Sequence, residues 1–203
     1  MSETLPEPSP HVAGEPVFTD ALAQGVRTRD PDALAWCYEA LADALFRYVR
    51  GLCGDPVLAE DLVEETFLEL VEYAPALTGG LGGLRAWLFR AARNNLIDAR
   101  RKSARRGDVP WEDDFATQRP DSDPGPELQT LHRERGAVLE TALAQLSEDQ
   151  REVVLLRFLS GLSGPEVAAA TGRSVGAVKS LQHRGLAALA RVLGTDQDLR
   201  DFP

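Results

Sequence analysis

From Phe18 onward the apolar positions recur at three- and four-residue steps, and the two-residue alternation of a strand appears nowhere. The chain therefore reads as helix after helix. Asp30-Pro31 and Asp55-Pro56 each set a side-chain acceptor before a proline, whose missing N–H costs nothing in a first turn. The first pair opens a predicted helix to about Gly51, with Leu34, Tyr38, Leu41, Leu45 and Val49 inward. The second opens one to about Ala74, with Leu58, Leu62, Phe67, Leu70 and Val71 inward. Pro75 and the pairs Gly79-Gly80 and Gly82-Gly83 then break the pattern, which predicts a flexible loop from about Pro75 to Gly83. A third helix, about Leu84 to Ser103, carries Leu84, Leu88, Ala91, Leu96 and Ala99 as one stripe.

Pro110, Pro120, Pro124 and Pro126 then stand among acids with almost no helical periodicity, the pattern of a linker over 107–130. The stretch from Gly107 to about Leu128, roughly 22 residues at about 3.3 Å each, reaches about 70 Å, enough for two attached modules to touch DNA about two turns apart. Helices resume from His132 to about Leu146. Ser147 with Gln150 and Ser163 with Glu166 form two capping boxes, each opening an apolar run. One run, with Val153, Val154, Leu156 and Leu159, stops at Gly161; the other, with Val167 and Ala168, stops at Thr171-Gly172. Ser174 then caps a longer helix with Val175, Val178, Leu186, Leu189 and Leu193 inward. A short helix, a tight turn and a longer helix have the spacing of a helix-turn-helix. The expected fold is all-α: two small helical domains, 17–106 and 131–194, joined by a flexible acidic linker. A disordered arm at 1–16, with Pro6, Pro8, Pro10 and Pro16, precedes them, and a tail follows at 195–203.

Composition narrows the classes. The 203 residues, 43% hydrophobic, can fill two small cores, and no apolar run is long enough to span a bilayer. No secretion signal is visible, so a cytoplasmic protein without membrane insertion is expected. Cys37 and Cys53 lie in apolar helical patterns with no partner at ligand spacing, and read as buried thiols. His11, His132 and His183 sit at unrelated positions, and no phosphate loop, metal spacing or nucleophile elbow accompanies them. No cofactor, no metal and no independent catalytic activity are expected.

A net charge of −10 argues against a partner made of phosphates until its distribution is read. Between Arg85 and Arg106 eight bases face one acid, Asp98, and between Thr171 and Leu193 four bases face none. Seven acids fall between Asp55 and Glu72, and seven more against Arg119 in the linker. Segregation of this kind gives two surfaces to an anionic partner and others to something basic. On the last helix, Arg173, Lys179, Ser180, Gln182, His183 and Arg184 are donors suited to phosphates and base edges. On the third, Arg90, Arg93, Asn94, Asn95, Asp98, Arg100, Arg101 and Lys102 form a polar side. That side is either a solvated face or a nucleic-acid surface, and eight bases exceed what solubility asks. Asp61, Glu65, Glu69 and Glu72 share one face of the preceding helix. A stripe of one sign costs a free helix a few tenths of a kcal/mol per pair, so it is either plain solvation or a docking surface.

Three segments carry a resemblance. Ser147 to Leu193, SEDQREVVLLRFLSGLSGPEVAAATGRSVGAVKSLQHRGLAALARVL, resembles the fourth conserved region of the extracytoplasmic-function sigma factors of bacterial RNA polymerase. Ala59 to Phe67, AEDLVEETF, resembles the second-region helix of that family, and Leu84 to Arg101, LRAWLFRAARNNLIDARR, the helix that melts and reads the minus-ten element. The match runs over about 18–106 and 131–193 in the family's order. It implies a sigma region 2 bundle and a region 4 helix-turn-helix in a non-catalytic initiation subunit. Its partners would be core RNA polymerase, through the largest subunits, promoter DNA and an anti-sigma factor.

The resemblance assigns Arg90, Arg93, Asn94, Asn95, Asp98, Arg100, Arg101 and Lys102 to the minus-ten element, with the loop from Thr78 to Gly83 helping to capture a flipped base. It assigns Arg173, Ser174, Lys179, Ser180, Gln182, His183 and Arg184 to the minus-thirty-five element. Polymerase docking falls to Asp61, Glu64, Glu65, Glu69 and Glu72. Trp87 reads as a core residue more than a base-stacking one. Many relatives have Gln at the place of Glu64, and Arg then Leu at Leu181 and Gln182, which puts the contact at Leu181 in doubt and makes Gln182 a candidate replacement donor. With ten residues after Leu193, no large further C-terminal domain is expected, nor the extra regions of housekeeping sigma factors. Acidity outside the reading surfaces predicts weak DNA binding by the isolated chain. The rival reading is a stand-alone helix-turn-helix transcriptional regulator, which would bind DNA without polymerase.

Overall fold

The structure is a computed structural model and describes residues 20–106, 139 and 141–193. The N-terminal arm, the linker, the helix start at His132 and the C-terminal tail expected above lie outside the described residues. Among the described residues there are helices and turns and no strand. The first module holds α1 (Asp20–Arg27), α2 (Pro31–Cys53), α3 (Pro56–Tyr73) and α4 (Gly80–Arg106), with a 3-10 turn at Ala74–Ala76. The second holds α5 (Glu148–Val154), a π-helical turn at Leu155–Leu159, α6 (Gly164–Thr171) and α7 (Val175–Leu193).

Local chemistry sets most of these ends. Asp30 Oδ1 accepts the Ala33 N–H at 2.9 Å, and Asp55 Oδ1 accepts those of Val57 at 2.9 Å and Leu58 at 3.2 Å. Both serine capping boxes form: Ser147 Oγ accepts the Gln150 N–H at 3.3 Å and Ser163 Oγ that of Glu166 at 3.4 Å, with the return bond present in each. Gly172, at φ 70°, closes α6 in the left-handed conformation, and Ser174 Oγ accepts the Ala177 N–H at 3.2 Å at the start of α7.

The beginning of α4 departs from the sequence pattern, which put a loop up to Gly83. The helix already starts at Gly80 because Asp20, on α1, places Oδ1 3.1 Å from the Leu81 N–H and caps α4 from 61 residues away. Gly83 is held tightly, since a Cβ there would lie 1.9 Å from the Thr78 carbonyl oxygen. The other end of the neighbouring helix is fastened in a similar way. Arg29 donates from Nε to the Val71 carbonyl at 2.8 Å and from Nη2 to the Glu72 carbonyl at 2.9 Å, where a cation suits the negative end of α3.

The core of the first module is built from Leu41, Leu45 and Val49 of α2, Leu62 and Leu70 of α3, and Leu84, Leu88 and Leu96 of α4, all buried. Tyr48 and Phe89 meet edge to face at 5.4 Å, both fully buried. In the second module Val153, Val154, Leu156, Val167, Val178 and Leu189 are buried, and Gly185 lets α7 approach α5 to the point where a Cβ would sit 2.9 Å from Val154 Cγ2. Arg151, itself buried, donates from Nε to the Leu143 carbonyl at 3.1 Å. The two modules also pack on each other: α4 lies against α6, the π-helical turn lies against α2, and the buried apolar residues form one continuous cluster.

Four residues expected inward are exposed. Tyr38 and Val71 border a shallow apolar groove between α2 and α3, where the Tyr38 ring rests 4.8 Å from that of Phe67. Val175 and Leu193 lie at the two ends of α7, where no further helix covers them among the described residues. Cys37 and Cys53 are free and buried, as the sequence suggests, and burial pushes their pKa values up to about 12 and about 11.

Candidate nucleic-acid interface

α6, the turn at Gly172 and α7 make the helix-turn-helix. Val178, Leu181 and Leu189 are buried on one side of α7, and this directs Lys179, Ser180, His183 and Arg184 outward. These four form an exposed row of donors without an acid among them. Leu181 packs inward. Gln182 is half-buried and its Oε1 accepts from Arg157 Nε at 3.1 Å, so that oxygen is committed to holding α7 on the π-helical turn. Ser174 is the N-cap described above, and Arg173 Nη2 lies 2.5 Å from Asp149 Oδ1 and 3.9 Å from Glu152 Oε2.

α4 divides the other predicted set. Asn94, Asp98, Arg101 and Lys102 are exposed, with Arg101 Nη1 3.2 Å from Asp98 Oδ1 one turn away. Asn95 turns toward α3, where its amide donates to Thr66 Oγ1 at 3.2 Å. Arg90, Arg93 and Arg100 face the second module. Arg90 donates to the Ala169 carbonyl on α6; Arg93 Nε lies 2.5 Å from Glu152 Oε1; Arg100 Nη1 lies 2.5 Å from Glu148 Oε1. Burial, the largest single effect, pulls the Arg93 pKa down, but the charge and hydrogen bond of Glu152 together with Tyr48 and Glu148 hold it above the usual value. Trp87 is half-buried and stacks on Tyr73 at 5.2 Å, the interplanar angle being 10°.

On α3, Asp61, Glu64, Glu65 and Glu72 are exposed and Glu69 is partly covered. Partial burial pushes the Glu69 carboxyl up, a hydrogen bond from Asn95 pulls it down, and the charges of Glu65, Glu72 and Asp98 add to the upward push. Leu68, 70% exposed, and Val57 stand among these acids, so the stripe is acidic and apolar at once. The groove beside it holds about 340 Å³ and is lined by Leu34, Tyr38, Phe67 and Leu68 among others.

The family model described as Sigma-70 region 2 matches residues 37–106, and the one described as Sigma-70, region 4 matches residues 137–189. The chain belongs to the sigma-70 family. Within it the chain is a member of the extracytoplasmic-function group. It is 34% identical over 177 residues to the ECF RNA polymerase sigma factor SigL of Mycobacterium tuberculosis, covering 85% of this chain and 96% of that one. It is 33% identical over 175 residues to the ECF RNA polymerase sigma factor BldN of Streptomyces coelicolor, covering 86% of this chain. The chain spans 66% of the length of BldN, a little under two thirds. Among solved structures it is similar to the sigma factor RpoE in complex with the anti-sigma factor NepR from Bartonella quintana (TM-score 0.64, 27% identity, 80% of this chain and 98% of that one). It is also similar to CnrH in complex with the cytosolic domain of CnrY (TM-score 0.61, 25% identity, 88% and 98%).

The region 2 match takes in most of α2 with α3 and α4, and the region 4 match takes in α5, α6 and most of α7. Sequence reasoning missed Arg29, Tyr48, Arg85, Arg151 and Glu152. Arg151 and Glu152 follow a capping box in a short polar stretch, and such residues ordinarily face water. The six consecutive buried positions from Arg151 to Leu156 instead show a helix covered on several sides, by α7 of its own module and by α2 of the other. Among the described residues no group of His, Cys, Asp and Glu could hold a metal ion, and no helix is long and apolar enough to cross a membrane.

Proposed function

We propose that this chain is a promoter-specific initiation subunit that binds core RNA polymerase and carries no catalytic group of its own. The observation that supports this best is the pairing of a region 2 and a region 4 module in one chain, with α7 presenting Lys179, Ser180, His183 and Arg184 as an acid-free row of exposed donors. α7 enters the major groove at the minus-thirty-five element, its exposed donors dividing between phosphates and base edges. The polar side of α4, Arg90 to Lys102, takes the opened strand at the minus-ten element, its arginines holding phosphates and Asn94 a base. Asp61, Glu64, Glu65, Glu69 and Glu72 dock on a basic surface of the largest polymerase subunits, and Leu68 adds an apolar contact in their midst. CnrH and RpoE were solved with CnrY and the anti-sigma factor NepR, which supports an anti-sigma partner for this chain as well. The site of action is the cytoplasm, where polymerase and promoters are.

A stand-alone helix-turn-helix regulator leaves region 2 and the acidic stripe of α3 without a task. Run-off transcription by core polymerase with and without the chain separates the two. The expected result is promoter-dependent transcript only when the chain is present; failure of purified core enzyme to bind the chain overturns the proposal.

A further inference from the structure

α1 is eight residues long and lies ahead of the region 2 match, which begins at residue 37, yet both of its ends reach the junction between α3 and α4. At its start Asp20 Oδ1 accepts the Leu81 N–H at 3.1 Å. Gly80 admits the carboxylate, since a Cβ there would lie inside contact distance of that oxygen. Just past the end of α1, Arg29 donates to the Val71 carbonyl at 2.8 Å and the Glu72 carbonyl at 2.9 Å. Arg29 does so from φ 56°, a left-handed backbone that no other non-glycine residue adopts among the described residues. Such a backbone persists only where its surroundings hold it. Between these ends Ala23 and Val26 are buried, with α1 lying against α4 and the 3-10 turn at Ala74–Ala76. Two of the polar contacts fix the end of α3 and the third fixes the first turn of α4, so the segment from Thr78 to Gly83 is held from both directions. Four of its six residues are glycine, which gives the segment little conformational preference of its own and leaves its path to whatever holds its ends.

We propose that α1 is a clasp for this segment and that Asp20 and Arg29 are positioning residues for minus-ten reading. They fix the path of Thr78 to Gly83, and with it how strictly the holoenzyme tells one minus-ten base from another. The proposal rests on the reading of α4 and the segment before it as the minus-ten face. Both side chains act through the backbone of the junction and leave base contact to others. The clasp serves one module only, so the base preference of α7 at the minus-thirty-five element does not depend on it.

The full chain and its Asp20→Ala, Asp20→Asn and Arg29→Ala variants test this, with two readouts. Asparagine keeps an acceptor for the Leu81 N–H and removes the charge, so it separates capping from repulsion of DNA phosphates. The first readout is hydrogen exchange of the Leu81 amide in the free chain. Loss of a cap acceptor opens a first turn about fivefold more often, so that amide should exchange about fivefold faster or more in Asp20→Ala and near the wild-type rate in Asp20→Asn. The second is run-off transcription by holoenzyme from a DNA library randomised at the minus-ten and minus-thirty-five elements, with the RNA products sequenced. Both alanine variants should lose about two- to fivefold in preference at the most selective minus-ten position, with minus-thirty-five preference unchanged and Asp20→Asn selecting as the wild type does. Should one alanine variant fail to fold, the other decides. Wild-type minus-ten preference in the alanine variants overturns the clasp, as does an equal loss at both elements, which is the mark of general destabilisation. An asparagine variant that behaves as the alanine one overturns capping in favour of charge. A wild-type chain that selects no promoter at all sinks the initiation reading and this proposal with it, whereas alanine variants that select normally sink this proposal alone.

Discussion

Replacing Gly83 by alanine would place a methyl carbon 1.9 Å from the Thr78 carbonyl oxygen and 3.0 Å from its carbon. The obstacle is backbone, in a turn already bent by Gly79 at φ 83° and Gly80 at φ 59°, so no rotamer change relieves it. Alanine gains about 1 kcal/mol over glycine inside a helix. Forced overpacking costs about 1–3 kcal/mol, and here the turn and the Asp20 cap on Leu81 must both shift, so the upper part of that range applies. The net expectation is a loss of about 1–2 kcal/mol. Gly176, in the first turn of α7, is the control: no atom lies within 4 Å of its added Cβ, and Gly176→Ala gains about 0.5 kcal/mol because the gain is smaller near a helix end. For a chain of this size each kcal/mol moves Tm by about 2–4 °C. Thermal unfolding followed by circular dichroism should show Gly83→Ala melting about 2–8 °C below the wild-type chain and Gly176→Ala slightly above it. Equal or reversed shifts would refute the placement of α4's first turn against Thr78.

The acidic stripe of α3 gives a pH dependence. The Glu69 carboxyl is raised in the folded chain, so folding is favoured most while it is protonated, and that contribution is lost as pH rises from its ordinary unfolded value through the raised one. Glu69→Gln should raise Tm at pH 7 and change it little at pH 4; a larger gain at the acidic end would contradict the sign. The thiols of Cys37 and Cys53, pushed up to about 12 and about 11, should resist a thiolate-selective reagent at pH 8 in the native chain and react on unfolding. Fast native labelling would mean that these helices open readily. Lys179→Ala should weaken binding of duplex promoter DNA about equally across sequences and lower the salt slope by about one, measured with holoenzyme at several salt concentrations; an effect confined to one base pair would move Lys179 from phosphate to base.

The elements whose ends are set by neighbours in sequence were legible from it. Asp30, Asp55, Ser147, Ser163 and Gly172 each act within four residues, and the helices they bound stand where the pattern put them. The start of α4 was hidden because its cap, Asp20, is remote in sequence, and four glycines read locally as a loop. The burial of Glu152 was hidden for a related reason. Its partners Tyr48 and Arg93 belong to the other module, and periodicity describes one helix at a time. The exposed row Lys179, Ser180, His183 and Arg184 of α7 was legible in the sequence because the buried Val178, Leu181 and Leu189 mark the opposite side. On α4 a single polar face turned out to be shared between solvent, α3 and region 4, and helical spacing has no means of apportioning it.

Arg151 and Glu152, adjacent and of opposite charge, have divided loyalties. The arginine is tied to carbonyls at 143 and 144 of its own module, while the glutamate is tied to side chains at 48 and 93 across the seam. Recombination at the tether would carry the first attachment along intact and strand the second. Hybrids assembled from halves of different relatives should therefore fold as modules yet mate poorly, unless positions 48, 93 and 152 travel as a set.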